Sequence, residues 1–163
     1  MNIRLATAND IAEIREIIAL RIKWFKTKNI NQWQHGYLDW VTEEYLQDII
    51  DKQQLYVIVG QQELIGTFAL LTEDTEYWPN GDDNQALYIH HLTTRENYKN
   101  LGNDILKYIE NTAIAQGKKY LRLDCSFYNQ KLNEYYENLG FKHVGKTVES
   151  HNYVATLMEK ELR

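Results

Sequence analysis

Short apolar runs, each bounded by polar or turn-forming residues, recur along the chain and predict strands. Two of them, 55–59 and 64–71, are separated by Gly60-Gln61-Gln62-Glu63, a spacing that is typical of a β-hairpin. The run at 86–94 is longer and stands alone. The predicted strands are 3–7, 55–59, 64–71, 86–94, 120–125, 141–146 and 152–158.

Other segments repeat their apolar residues every three or four positions, which predicts helices. Ile11, Ile14 and Ile18 share one face of a first helix, and Thr7–Asp10 offers side chains that can cap its start. Further helices are predicted at about 41–52, 103–116 and 130–139. The segment 72–85 is polar and turn-rich and is predicted to be a loop.

The order of these elements indicates the fold class. Strands connected to helices at 94–103 and 125–130, together with a hairpin, predict an α/β (α+β) fold in which helices flank a mixed sheet. At 163 residues the chain is expected to form a single domain over 1–163. Ligands of such sheets bind beyond the carboxyl ends of the central strands, so we expect the turn at 98–104 to lie near the segment after Cys125.

Composition predicts a folded protein of the cytoplasm. Apolar residues make up 44% and aromatic residues 12% of the chain, which favours a packed interior over disorder. No apolar stretch reaches the ~18 residues that span a bilayer, and residues 1–5 lack the layout of a signal peptide. The one cysteine, Cys125, has no partner for an internal disulfide. We therefore expect no membrane partner.

The charge balance and the absence of certain motifs disfavour several classes of binding partner. The net charge is −5 with Lys and Arg thinly spread, so a nucleic-acid surface is not expected and a cationic acceptor suits the balance better. No Cys/His pair has the spacing of a zinc site, so no metal is expected. Neither Gly-x-x-x-x-Gly-Lys-Ser/Thr nor Gly-x-Gly-x-x-Gly occurs, which disfavours a nucleotide-binding domain.

The segment 98–104 is a short polar turn that separates the apolar run 86–94 from a helix with Ile105 and Ile109 on one face. The first N–H groups of a helix have no internal partners and meet the positive end of its dipole, and Gly102 permits an anion to approach the backbone. This arrangement is typical of a pyrophosphate site. A glycine that only turns the chain is the alternative.

A second group of residues follows the strand at 120–125. Asn129 suits a helix N-cap, and Gly140 suits the position after the helix end, where a positive φ is favoured. Asn129 and Tyr136 lie seven residues apart, about two helical turns, so both can face one groove. A capping residue and a core tyrosine are the structural alternative.

With these pieces in order, the whole chain resembles the GNAT superfamily of acyl-CoA-dependent N-acyltransferases, and in particular uncharacterised bacterial members. The most specific match is Asn129 followed by Tyr136-Glu137-Asn138-Leu139-Gly140-Phe141, the family's Asn…Tyr-Glu-x-x-Gly-Phe block. The family's turn, Arg/Gln-x-x-Gly-x-Gly/Ala, here reads Lys99-Asn100-Leu101-Gly102-Asn103-Asp104. Lys99 and Asp104 depart from it, and the Asp104 carboxylate competes with phosphates for the same N–H groups. The resemblance implies a central, mostly antiparallel sheet.

The resemblance implies an N-acetyltransferase with acetyl-CoA as co-substrate, on which a primary amine of a small molecule or peptide attacks the thioester directly in a ternary complex. Tyr136 is implied as the acid for the departing thiolate, which a phenol with a pKa near ~10 can protonate. The implied cofactor-binding residues are Leu92, Thr93 and Thr94 on the strand, Lys99, Asn100, Leu101, Gly102, Asn103, Asp104 and Ile105 at the turn, and Asn129 beside the pantetheine arm. GNAT-like domains often dimerise, so a homodimer is an implied oligomeric state.

The sequence leaves more than one candidate for the general base and more than one interpretation of the aromatic residues near the acceptor. His90 and His91 titrate near neutral pH, but neighbours on a strand point to opposite faces, so at most one is expected to face the acceptor. A water relay is the other option that the family uses. Aromatic residues that could wall an amine pocket, or could equally belong to the core, are Trp33, Tyr77, Trp78 and Tyr88. The alternative function is a non-catalytic acyl-CoA-binding or sensing module of the same fold.

Overall fold

Seven strands and five α-helices account for the regular structure of the residues that the computed structural model describes, which are 1–33, 36–78, 84–148 and 154–163. The strands are β1 (Asn2–Leu5), β2 (Leu55–Val59), β3 (Leu64–Leu71), β4 (Ala86–Thr94), β5 (Tyr120–Ser126), β6 (Lys142–Val148) and β7 (Val154–Glu161). The helices are α1 (Ile11–Thr27), α2 (Tyr37–Trp40), α3 (Glu43–Asp51), α4 (Gly102–Ala115) and α5 (Gln130–Asn138), with a 3₁₀ turn at Ala8–Asp10 before α1.

The strands form one sheet in the order β1-β2-β3-β4-β5-β7-β6. The pairs β1/β2, β2/β3, β5/β7 and β6/β7 are antiparallel, whereas β4 and β5 run parallel over Ala86–Tyr88 and Tyr120–Arg122. The β2–β3 hairpin closes with the Gly60 N–H donating to the Glu63 carbonyl at 2.9 Å. The prediction of an α/β fold with a mixed, mostly antiparallel sheet is confirmed.

The predicted and observed elements differ most where polar residues continue or end an element. β1 ends at Leu5 because Thr7 already belongs to the next turn, where its N–H donates to the Asp10 carboxylate at 2.7 Å. The short helix α2 was not predicted. Residues 79–83 of the predicted loop at 72–85, including Pro79, lie outside the described residues.

The chain divides into two compact units, and the single domain over 1–163 stays a prediction. The first unit comprises 1–70 and 90–99. Its helices α1 and α3 each present an apolar face, from which Ile14, Ile18 and Leu46 are fully buried. On its sheet, Ile58 and Phe68 are likewise fully buried, because β2 and β3 are apolar almost throughout.

The second unit comprises 71–89 and 100–163. The predicted apolar face of its helix α4 is confirmed, since Ile105, Leu106 and Ile109 are buried. A further buried cluster contains Trp78, Ala86, Tyr88 and Leu157. No helix of the described residues is both long and apolar enough to cross a bilayer.

Candidate active site

The turn that was predicted to hold a pyrophosphate ends at the start of α4, in the second unit. Asn100 has a left-handed φ of +63°, which Asn tolerates better than most residues, and Gly102 is the first helical residue. The N-cap is Leu101, whose aliphatic side chain cannot accept a hydrogen bond, and none of the described side chains caps this helix. Asn103 and Asp104 are exposed. A helix start without a side-chain cap is open to an anion.

A tyrosine of α5 lies against this helix start. A Cβ built on Gly102 would stand 2.0 Å from the Tyr135 hydroxyl oxygen, so no larger residue fits while Tyr135 keeps its position. The structure thus brings the turn together with the segment after Cys125, as expected. Tyr135 is a neighbour of this turn that the sequence analysis did not single out. The available signal was the Tyr135-Tyr136 doublet, because adjacent helical residues point about 100° apart and only one of the two can face the core.

Tyr136 is the buried member of the doublet. Its ring packs edge-on against Phe141 with centroids 5.6 Å apart. Burial raises the pKa of its hydroxyl above the ordinary value, and Cys125 nearby contributes. The hydroxyl therefore stays protonated at neutral pH, as an acid must, but the acid role itself stays a prediction. Burial also raises the pKa of the Cys125 thiol to about 12, which makes it a poor nucleophile.

Asn129 caps α5 as predicted. Its side-chain oxygen accepts from the Leu132 N–H at 3.2 Å. The Asn133 amide strengthens the same connection by donating to the carbonyls of Ser126 at 2.9 Å and Asn129 at 2.8 Å. These bonds hold the β5–α5 turn in place. Contact of Asn129 with a pantetheine arm stays a prediction.

In the first unit, His91 has a left-handed backbone conformation and a buried, hydrogen-bonded side chain. Its φ is +56°, in the left-handed region, and its side chain is buried. The Tyr45 hydroxyl is 2.8 Å from Nε2, and the Tyr37 hydroxyl bonds Nδ1. Burial, and secondarily the neighbouring His90, lowers the pKa of His91 to about 3, so the imidazole is neutral at physiological pH.

His90 does not stand on the opposite face from His91 as strict alternation predicts. The two ring centroids are 5.7 Å apart, because the left-handed backbone of His91 interrupts the pleat of β4. His90 is half-buried, whereas His91 is buried. The role of either imidazole as a base stays a prediction.

The end of β4 is held by α1 and β3. The Arg21 guanidinium donates to the Thr93 hydroxyl at 3.2 Å and to the Thr94 carbonyl at 2.6 Å. On the other side, a Cβ on Gly66 would stand 2.7 Å from the Thr93 carbonyl oxygen, so β3 approaches closely there. Leu92 is half-buried and Thr93 buried. Arg21 was not singled out from the sequence, because the bonds reach across more than seventy residues.

The predicted acceptor residue Trp33 belongs to an aromatic cluster of the first unit. Its ring stacks on Tyr37 with centroids 4.8 Å apart and meets Phe25 edge-on at 5.8 Å. Trp33 is half-buried, so part of its surface stays accessible. Tyr37 links this cluster to the His91 imidazole.

The other predicted acceptor residues lie in the second unit, around an internal cation. The Arg122 guanidinium lies 5.3 Å from the Trp78 ring centroid and donates to the Tyr88 hydroxyl at 2.8 Å. It also pairs with Glu159 at 2.8 Å. Trp78 and Tyr88 are buried, and Tyr77 packs beside them half-buried. These contacts give the aromatic residues a packing role, while contact with an acceptor stays a prediction.

Both the sequence and the fold are similar to those of known proteins. A family model for the acetyltransferase (GNAT) domain matches residues 24–162. The uncharacterized N-acetyltransferase YesJ of Bacillus subtilis is 23% identical over 96% of this chain and 88% of its own length.

Solved structures share the fold. A GNAT-family acetyltransferase from Listeria monocytogenes matches with a TM-score of 0.82 and 23% identity, over 99% of this chain and 94% of that one. The PaiA N-acetyltransferase of Thermoplasma acidophilum, solved in complex with coenzyme A, matches with a TM-score of 0.74 and 18% identity over 98% of both chains.

Proposed function

Since the chain belongs to the GNAT acetyltransferase family, we propose that it transfers an acetyl group from acetyl-CoA to a primary amine of a small molecule or peptide. The observation that carries the proposal is the start of α4, where Leu101 leaves the helix without a side-chain cap directly after the left-handed Asn100. This is the position of the family's pyrophosphate turn. The PaiA N-acetyltransferase, which shares the fold, was solved with coenzyme A, and this supports a CoA-based donor.

In the second unit, the residues are proposed to bind and protonate the donor. The main-chain N–H groups of Leu101–Asp104 hold the pyrophosphate, with Asn100 ahead of them in the turn, whereas the Ile105 N–H already donates to the Leu101 carbonyl at 3.0 Å. Asn129 contacts the pantetheine arm. The Tyr136 hydroxyl, kept protonated by burial, gives its proton to the sulfur as the thiolate leaves.

In the first unit, the residues are proposed to hold the pantetheine arm and the acceptor. The main chain at Leu92–Thr94 hydrogen-bonds the arm, and the Trp33 ring lines the pocket for the amine. The amine must be neutral to attack, so one proton passes to His90 or to water before or during the step. The nitrogen lone pair then bonds the carbonyl carbon and the C–S bond breaks, with the Tyr136 proton passing to the sulfur. The nitrogen loses its second proton to water, and water returns a proton to the Tyr136 phenolate, so that the amide and the CoA thiol are the products.

A second function is favoured by one residue. Asp104 places a carboxylate in the first turn of α4, where the family carries a small residue. A negative group there competes with phosphates, which would suit a non-catalytic acyl-CoA-binding or sensing module. Retention of Asn129 and Tyr136 favours the enzyme.

The decisive experiment has two stages. CoA should raise the melting temperature of the wild type, and Gly102→Val should abolish that shift, because its branched side chain blocks approach to the turn. Thiol release from acetyl-CoA is then measured with a panel of primary amines. A shift without amine-dependent thiol release would indicate the sensing module. An unchanged shift in Gly102→Val would remove the pyrophosphate assignment.

A further inference from the structure

His91 has a left-handed backbone, with a φ of +56°, which is uncommon for residues other than Gly. Asn, Asp and His adopt it more readily than most residues, but it still costs free energy and persists where the surroundings hold it. Here the imidazole supplies that hold. Each of its two nitrogens is bonded to a tyrosine hydroxyl, Nδ1 to Tyr37 and Nε2 to Tyr45.

The two tyrosines come from different helices of the first unit. Tyr37 is the first residue of α2, and Tyr45 lies in the first turn of α3. The start of α3 is itself fixed, because the Tyr45 N–H donates to the Thr42 hydroxyl at 3.0 Å. The Tyr45 hydroxyl therefore reaches His91 from a fixed helix start, and the imidazole connects the middle of β4 to two helices.

We propose that His91 is a positioning residue, whose bonds to Tyr37 and Tyr45 hold the left-handed kink of β4 and so aim the main chain of Leu92–Thr94 at the pantetheine arm. The inference rests on the proposed function, since it assumes that this segment binds the arm. His91 is not assigned the role of base.

The chemistry of the imidazole agrees with this role. A neutral imidazole has one N–H donor and one acceptor nitrogen, and here each faces a hydroxyl that can complement it. Taking up a proton would turn the acceptor nitrogen into a second donor and force one hydroxyl to turn around. An imidazole with both nitrogens hydrogen-bonded in this way holds the surrounding backbone in position.

Contacts from Arg21 also fix the residues of β4 that follow His91. Its guanidinium donates to the Thr93 hydroxyl and to the Thr94 carbonyl, immediately after the kink. Gly66 of β3 packs closely against the Thr93 carbonyl. The segment after His91 is thus held by contacts with α1 and with β3, and the kink determines where it starts.

The test compares two ligands in the full chain by calorimetry. The first is CoA, and the second is adenosine 3′,5′-bisphosphate, which is the nucleotide part of CoA without its pantetheine arm. Tyr45→Phe deletes one bond to His91 and keeps the ring. We expect its Kd for CoA to rise about three- to tenfold, the scale of one hydrogen bond, while its Kd for the bisphosphate stays unchanged.

Tyr108→Phe, in α4, is the matched hydroxyl deletion and should alter neither Kd. His91→Asn is the second variant, because Asn tolerates the left-handed backbone but cannot span both tyrosines, and it should show the same selective loss. Equal weakening of both ligands, or unchanged CoA binding in both variants with unaltered melting temperatures, would overturn the positioning role. If the wild type binds no CoA, the proposed function fails first, and this inference fails with it.

Discussion

At the residue scale, burial decides what the Tyr136 hydroxyl can do. Because burial raises its pKa, the phenol is protonated throughout the neutral range and can act only as a donor of its proton. Tyr136→Phe removes that proton and keeps the packing against Phe141. We expect kcat to fall about 10²–10⁴-fold, with stability changed by no more than about 1–2 kcal/mol. Steady-state kinetics and urea denaturation measure the two quantities.

The control for that variant has to come from elsewhere in the chain. Tyr135 is adjacent, but its hydroxyl lies over Gly102, so its loss also alters the helix start. Tyr108→Phe in α4 deletes a comparable hydroxyl and should leave kcat unchanged. Full activity in Tyr136→Phe would exclude this hydroxyl as the proton donor.

The buried His91 imidazole should also change how the free energy of unfolding depends on pH. Its pKa is about 3 in the folded chain and close to 6.5 when unfolded. Between these values the unfolded chain binds a proton that the folded chain does not, so the free energy of unfolding falls as the pH drops below about 6.5. His91→Asn has no such group. We expect its stability to decline less steeply, by a difference approaching about 1.4 kcal/mol per pH unit.

Urea denaturation of both proteins between about pH 5 and pH 7.5 measures these slopes. Titrating groups that do not interact with His91 are present in both proteins and cancel in the comparison. Parallel slopes would mean that the imidazole becomes charged in the folded state, which the closed contacts with Tyr37 and Tyr45 argue against.

Local sequence pattern identified short-range structural roles, and it missed contacts between residues that are distant in the sequence. Asn129 was assigned as a cap because capping is a short-range relation, and the structure confirms it. The tyrosines around His91 lie 54 and 46 residues away from it, and nothing in their own neighbourhood marks them. Tertiary packing also overrode the alternation that was predicted for His90 and His91.

At the element scale, the Asp104 carboxylate at the start of α4 has opposite effects on helix stability and on the proposed phosphate binding. Asp104 in the first turn stabilises the helix through its dipole, yet it repels a phosphate that would bind the same N–H groups. Asp104→Asn, an exposed substitution of similar shape, should therefore lower stability by about 0.3–1 kcal/mol and lower the Kd for CoA. Thermal denaturation and calorimetry at low ionic strength measure these opposite effects.

Asn103→Ala is a suitable comparison, since it changes an exposed neighbour without changing charge. The same measurements in about 0.5 M salt should shrink both effects of Asp104→Asn, because exposed charges are screened there. Weaker CoA binding in Asp104→Asn would show that the carboxylate contributes to the site in another way.

Element positions were predictable where apolar pattern marks both ends. β2, β3 and β4 match the predicted bounds because each is an apolar run between polar turns. β7 extends to Glu161 through charged residues, held by pairing with β5 and by the Arg122–Glu159 ion pair. Hydrophobic pattern cannot report such a strand end. The four-residue helix α2 is too short to show a helical repeat.

At the scale of the whole molecule, charge should act differently on the two proposed substrates. The net charge of −5 gives the protein a negative field, which would attract a cationic amine and repel the phosphates of acetyl-CoA. The turn at α4 opposes this repulsion only locally, through dipoles that act within about one helical turn. Long-range steering therefore favours the acceptor.

Ionic strength separates these contributions in the proposed reaction. Raising salt from about 20 to about 300 mM shortens the screening length from roughly 20 Å to roughly 6 Å and weakens the long-range field. We expect the KM for the amine to rise about two- to threefold and the KM for acetyl-CoA to fall by a similar factor. Potassium chloride and potassium acetate should act alike, which controls for specific anion binding at the turn. A rise in both KM values would mean that local positive groups at the turn, and not the net charge, dominate donor binding.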